Sequence, residues 1–245
     1  MLILYGIASV LSIFIPLLLI NFVWHRKALP KTRLAALLGL GGLGWLLAKL
    51  PKAAVVLPTF AAYGLPFKME SAQFETALRE HFVLLLVAAL AAGVFEELCK
   101  PAGLLLFRKW INDHDAALLG WALGIGAGAL EALLILLGQA GALAGTDSLW
   151  AVLEPPSERF FIIFFHGSMT AFLVSFIWRR RFFLGLGVSI TVHSMADLVF
   201  PYLTVNKILG PVAIQLALYI FVAVFSIIVL KNIRRREEIK PCERR

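Results

Sequence analysis

The sequence predicts an all-α fold: a polytopic membrane helical bundle of about seven transmembrane helices with a four-helix catalytic core. Three observations predict it. Of the 245 residues 60% are hydrophobic and only 16% are charged, too little polar surface for a water-soluble domain of this length. Several apolar runs approach or exceed the ~20 residues that cross a bilayer as a helix. The basic residues fall between those runs, at Arg26-Lys27 to Arg33, Arg108-Lys109, Arg179-Arg180-Arg181 and Lys231 to Arg245. The net charge of +8 therefore reads as membrane topology and attraction to anionic headgroups, and excludes a nucleic-acid partner.

The first run, 2–23, lacks a charged leader and a small-residue cleavage site, so it is expected to stay as a span. The second, 34–57, is the weakest, because Lys49, Pro51 and Lys52 interrupt it; a shorter helix followed by an interfacial segment is the alternative. Residues 66–80 are polar and predict an external helix. Spans at 81–107 and 115–138 follow, then an external loop at 139–157 containing Pro155-Pro156. Ser157 has the character of an N-cap, with Glu158 in the first turn of the span 159–178. Spans at 182–203 and 209–231 complete the set. With every basic cluster on the cytoplasmic side, the loops alternate without contradiction. That predicts a multi-pass protein of the cytoplasmic membrane, its amino terminus outside and its carboxyl terminus inside. The chain reads as one integral membrane domain, 1–245, ending in a basic cytoplasmic tail at 231–245. Cys99 lies in an apolar helix and Cys242 in the tail, so no disulfide framework is expected.

An ionisable group near the bilayer centre costs about 3 kcal/mol on insertion scales, so such groups mark function or buried pairing. Glu96, Glu97 and Lys100 fall in the third span, Glu131 in the fourth, His166 in the fifth, and His193 and Asp197 in the sixth. At about 1.5 Å rise per residue, Glu96, His166 and His193 share a depth of ~16 Å from the cytoplasmic ends of their helices. Glu131 and Asp197 lie about a turn further out. Glu96 with Lys100, and His193 with Asp197, are i,i+4 neighbours and project the same way. Gly93 and Gly103 share the face of Glu96, and Gly124 and Gly128 form a small-xxx-small pair before Glu131, so both faces are expected to meet other helices closely. Pro101 should kink its helix near the acidic pair.

These residue types permit metal-assisted hydrolysis. Glu131, His166 and His193 match the ligand types of a catalytic Zn2+ that keeps one position for water. Glu96 would take the proton of that water, Lys100 and Glu97 would form an ion pair orienting it, and Asp197 would fix the His193 tautomer or bind the metal itself. Arg159, at the mouth of its span, is a candidate for meeting a substrate carbonyl. Taken singly, each group has a bland reading: an interhelical hydrogen bond for a histidine, a buried salt bridge for Glu96 and Lys100, a protonated structural acid for Glu131. Transporters and proton relays use the same residue types, so an ion- or proton-coupled transporter and an inactive scaffold are the rivals. His25, His81 and His114, near span ends, receive no chemistry; Phe160, Phe161, Phe164 and Phe165 read as lipid-facing or packing residues, and Cys99 as packing.

The ordered set Phe95-Glu96-Glu97-x-x-Lys100, Gly124-x-Gly126-x-Gly128-x-x-Glu131-Ala132, Glu158-Arg159 with His166, and His193-x-x-x-Asp197 resembles the YhfC-type intramembrane metalloproteases, relatives of PrsW and of the CAAX-protease and bacteriocin-processing clan. The resemblance covers 80–205, which it implies is the catalytic helical core. It implies that Glu96 activates water and that Glu131 and His193 stand at metal-site or water-binding positions. The substrate it implies is a membrane or membrane-proximal protein or peptide. Two departures stand out. Ala127 occupies a position that often holds histidine in that group, and Asp197 one that is asparagine in the prenyl-processing branch. An ionised Asp197 would repel an oxyanion, which leaves it protonated, a ligand or an orienter.

Overall fold

The computed structural model describes residues 1–27, 30–65, 71–106, 116–141 and 146–238, and among these there is helix and no strand. Seven of the eight helices are long and apolar enough to cross a membrane: α1 (Leu2–Arg26), α2 (Lys31–Ala62), α4 (Phe82–Leu106), α5 (Ala116–Ala140), α6 (Leu149–Trp178), α7 (Phe182–Val205) and α8 (Pro211–Glu238). The protein is a multi-pass helical membrane bundle. The eighth, α3 (Ser71–Glu80), is short and amphipathic; it packs on α4 and α7, and Arg79 donates to the Val205 carbonyl at 2.9 Å. Arg108-Lys109, His114, Cys242 and the end of the basic tail lie outside the described residues.

Two boundaries differ from the sequence expectation. α2 does not stop at its charged and proline-containing stretch but continues as one 32-residue helix through Pro51 and Pro58, about 48 Å at the usual rise. α6 does not begin after the proline pair: Ser148 caps it, its Oγ accepting from the Ala151 N–H at 3.3 Å, and the helix runs through Pro155-Pro156. Ser157 is therefore an interior residue and not an N-cap. Its hydroxyl turns back to the Leu153 and Glu154 carbonyls at 2.7 and 2.9 Å. Where water does not compete for backbone groups, helix persists through residues that end it in solution. Pro101 likewise lies inside α4.

The core-forming helices make a ring. α4 packs between α2 and α7, α5 between α2 and α6, and α6 closes the ring against α7. α1 lies outside against α5 and α6, held by Tyr5 donating to the Leu136 carbonyl at 2.7 Å, and α8 covers the far side of α6. Glycine sets the closest crossings. A Cβ on Gly128 would lie 2.8 Å from Ile163 Cα and 3.2 Å from His166 Cδ2, and one on Gly124 would collide with the His166 carbonyl. On the opposite side, a Cβ on Gly93 would come 2.9 Å from the Ile190 carbonyl oxygen of α7. These two seams bring α6 and α7 against the acidic helices.

Substituting valine at Gly124 should force α5 from α6 and cost about 1–3 kcal/mol, as overpacking does. Thermal unfolding of the detergent-solubilised variant should show a lowered midpoint, whereas valine at Gly138, where a side chain meets nothing within 4 Å, should leave it unchanged.

Candidate functional site

Five helices of the ring deliver charged or imidazole side chains to one place. α4 gives Glu96, Glu97 and Lys100, α5 gives Glu131, α6 gives Glu158, Arg159 and His166, and α7 gives His193 and Asp197. The fifth, α2, was not among the four helices expected: Lys49 donates to Glu96 Oε1 at 3.1 Å, and Lys52 Nζ stands 3.6 Å from the same oxygen. The available signal was the presence of two lysines three residues apart in an otherwise apolar run, which reads from sequence as a weak span.

Lys100 is fully buried and holds the centre. Its Nζ lies 2.7 Å from Glu97 Oε1, 2.8 Å from His166 Nδ1 and 3.7 Å from Glu96 Oε2. The expected Glu97–Lys100 ion pair is thus present and extends to α6. Glu97 Oε1 also meets His193 Nδ1 at 2.7 Å, and His166 Nε2 meets Glu131 Oε2 at 2.7 Å. Arg159 reaches Glu131 Oε1 at 3.4 Å and pairs tightly with Glu158. Both ends of its guanidinium fork therefore face carboxylates, which makes Arg159 a positioning group for Glu131. Asp197 is the most open member, its Oδ2 3.7 Å from His193 Nε2. The orientation of His193 comes from Glu97, which makes the shorter contact.

The partners assign opposite tautomers to the two histidines. An ammonium has no lone pair, so His166 Nδ1 accepts from Lys100 and its Nε2 carries the proton donated to Glu131. A carboxylate accepts, so His193 Nδ1 donates to Glu97, and in the neutral ring its Nε2 keeps a lone pair. That lone pair lies 3.9 Å from Glu96 Oε2, a buried oxygen with no hydrogen-bond partner among the described residues. Phe165 packs edge-on against the His193 ring at 5.7 Å.

The groups face a cavity of about 190 Å³. Lys52, Glu96, Glu131, His166, His193 and Asp197, with Glu158 and Arg159, supply its polar wall, and aromatic and aliphatic residues of α6, α7 and α8 supply the remainder. Such a mix of convergent polar groups and apolar surface is characteristic of small-molecule and peptide sites.

Ligand atoms of Glu96, Glu131 and His166 lie within 4.8 Å of one another, close enough for a single metal ion. The proton arrangement does not fit one. While Lys100 occupies His166 Nδ1, the other nitrogen is an N–H donor and offers no lone pair, so of the two histidines only His193 is ready to ligate. The carboxylates already have cations: Lys49, Lys52 and Lys100 at Glu96, and Arg159 at Glu131.

Fold and site together define a multi-pass membrane protein with a buried Glu/His/Lys cluster opening on a cavity. Comparison with protein-family models and with curated sequences gives no match for this chain.

Removing one member of a buried pair strands the other. Lys100→Met should cost about 3–5 kcal/mol, and Glu97→Gln combined with Lys100→Met should recover part of that loss. Unfolding midpoints of the two singles and the double check this coupling.

Proposed function

We propose that the protein is an intramembrane peptidase that hydrolyses a peptide bond of a membrane or membrane-proximal substrate. In this reading Glu96 activates water directly, without a metal ion. The observation that carries it is the juxtaposition of Glu96 Oε2 and His193 Nε2, 3.9 Å apart at the cavity wall, two facing acceptors when the imidazole is neutral. That spacing is too long for a direct hydrogen bond and suits one water that donates a hydrogen to each. Both hydrogens are then held and an oxygen lone pair is left for a carbonyl carbon. As attack proceeds, the proton moves to Glu96, which later returns it to the leaving amine.

Four further members of the cluster have supporting tasks. Glu97 fixes the His193 tautomer. Lys100 neutralises the acidic pair and locks His166. His166 and Arg159 position Glu131 beside Glu96. The order of the motifs, which resembles that of the YhfC-type and CAAX-protease clan, supports the same reading. So does the apolar part of the cavity wall, which suits a substrate arriving from the bilayer. The positive-inside pattern supports a cytoplasmic-membrane location with the carboxyl terminus inside.

The test uses the purified full chain in detergent micelles with a quenched-fluorescence library of transmembrane peptides. Glu96→Gln, which keeps shape and removes the base, should lower kcat/KM by about 10²–10⁴-fold. A Gln variant as fast as the parent would sink the reading. Treatment with 1,10-phenanthroline should leave the rate within about twofold, and elemental analysis should find no stoichiometric metal; zinc-dependent cleavage would instead restore a metal mechanism.

A further inference from the structure

The proposed hydrolysis creates a second electrostatic demand: a negative oxygen on the attacked carbon. Asp197 occupies the side of the cavity next to His193, and its carboxylate cannot stabilise that charge. Among the described residues four side-chain cations stand within reach of the site, and three of them are committed. Lys100 is fully buried between Glu97 and His166. Arg159 also lines the cavity, but each end of its fork already meets a carboxylate, Glu131 on one side and Glu158 on the other. Lys49 donates to Glu96 Oε1 at 3.1 Å while its ammonium rests over the Trp45 ring, 3.8 Å from the centroid, and it does not line the cavity.

Lys52 differs on each count. It lines the cavity, its side chain retains 27% of its accessibility, and among the described residues it makes no hydrogen bond. Its one ion-pair partner is Glu96 Oε1 at 3.6 Å, beyond hydrogen-bonding range, so all three N–H donors remain available. The i,i+3 spacing from Lys49 puts both lysines on the same face of α2. Lys49, resting on Trp45, occupies Glu96 Oε1 and leaves Lys52, about a helical turn away, as the donor without a hydrogen bond among the described residues.

We propose that Lys52 is the catalytic electrophile, donating to the substrate carbonyl oxygen and holding the oxyanion as it forms. This rests on the hydrolase reading above. Water oxygen bonds to the carbonyl carbon, its proton passes to Glu96, and the carbonyl π pair moves onto the oxygen facing Lys52. When that pair returns, the carbon–nitrogen bond breaks and the amine leaves with the proton from Glu96. Water is the only co-reactant. Lys52 stays protonated throughout and contributes most when the charge is greatest, so its loss should fall on kcat and not on KM. The same arrangement gives Asp197 a role beside a cation instead of against an oxyanion, as a counter-charge at the open end of the cavity.

The experiment compares wild type, Lys52→Met, Lys52→Arg and Glu96→Gln with the best-cleaved peptide of the same library in the same micelles. Lys52→Met should lower kcat by about 10²–10³-fold with KM within about threefold, the loss typical of removing an oxyanion donor. Lys52→Arg should regain at least about tenfold, because a cation returns. A trifluoromethyl ketone analogue of that peptide, which is bound as a tetrahedral adduct, should lose affinity for Lys52→Met by a similar factor. Thermal midpoints should be alike, since the side chain makes only one loose and partly open ion pair. If wild type cleaves and Glu96→Gln does not, yet Lys52→Met keeps its kcat, this inference is overturned and the hydrolase reading stands. If wild type cleaves nothing in the library, the hydrolase reading fails and this inference with it.

Discussion

A lysine ammonium with no accessible surface, placed inside a membrane helix, constrains everything around it. Lys100 is tolerable there only because acceptors surround it: Glu97 at 2.7 Å, His166 Nδ1 at 2.8 Å and Glu96 at 3.7 Å. Each acceptor belongs to a further pair, with Glu97 reaching His193 on α7 and His166 reaching Glu131 on α5. The cost of leaving any of these charges alone in a low-dielectric interior is several kcal/mol. Four helices are therefore tied by one connected set of contacts, and none can shift without stranding a charge. The glycine crossings at Gly93, Gly124 and Gly128 are the steric counterpart, since they let those backbones approach closely enough for short side-chain contacts.

The same lysine separates two histidines that otherwise look equivalent. By donating to His166 it makes that ring a proton donor toward Glu131, whereas Glu97 makes His193 an acceptor toward the cavity. Similar chemistry in sequence thus becomes complementary chemistry in space. One imidazole stabilises a carboxylate, and the other presents a lone pair beside Glu96. The cluster also places the cations Lys49, Lys52, Lys100 and Arg159 among its carboxylates. In the proposed mechanism, lysine and arginine provide the electrostatic support that a metal ion supplies in other hydrolases.

Access follows from which helices are absent from the ring's seams. The cavity is walled by α8 and the carboxyl-terminal part of α7 as well as by the polar helices, so its lining passes from charged to aromatic within one volume. Phe165 belongs to both parts, buried in the cluster with Met169, Leu218 and Val222 and edge-on to His193. In the proposed reading, a substrate segment apolar on its flanks and polar at one carbonyl would match that gradient.

Hydropathy and basic-residue placement were enough to read seven spans, because a bilayer imposes length and composition on each helix independently of its neighbours. The costly residues Glu96, Glu97, Lys100, Glu131, His166 and His193 were legible for the same reason, and so was their common depth, which follows from counting residues along each helix. What sequence alone did not give was the extension of α6 back through Pro155-Pro156, or the contribution of Lys49 and Lys52 from α2. Proline and lysine weaken a span when it is judged alone, and their tolerance depends on the neighbours that surround them. Nor could spacing decide that Glu97, and not Asp197, orients His193, or that Arg159 is occupied by carboxylates. Those outcomes depend on distances between helices remote in sequence, and such distances are fixed only when glycine contacts and buried charge pairs are satisfied together.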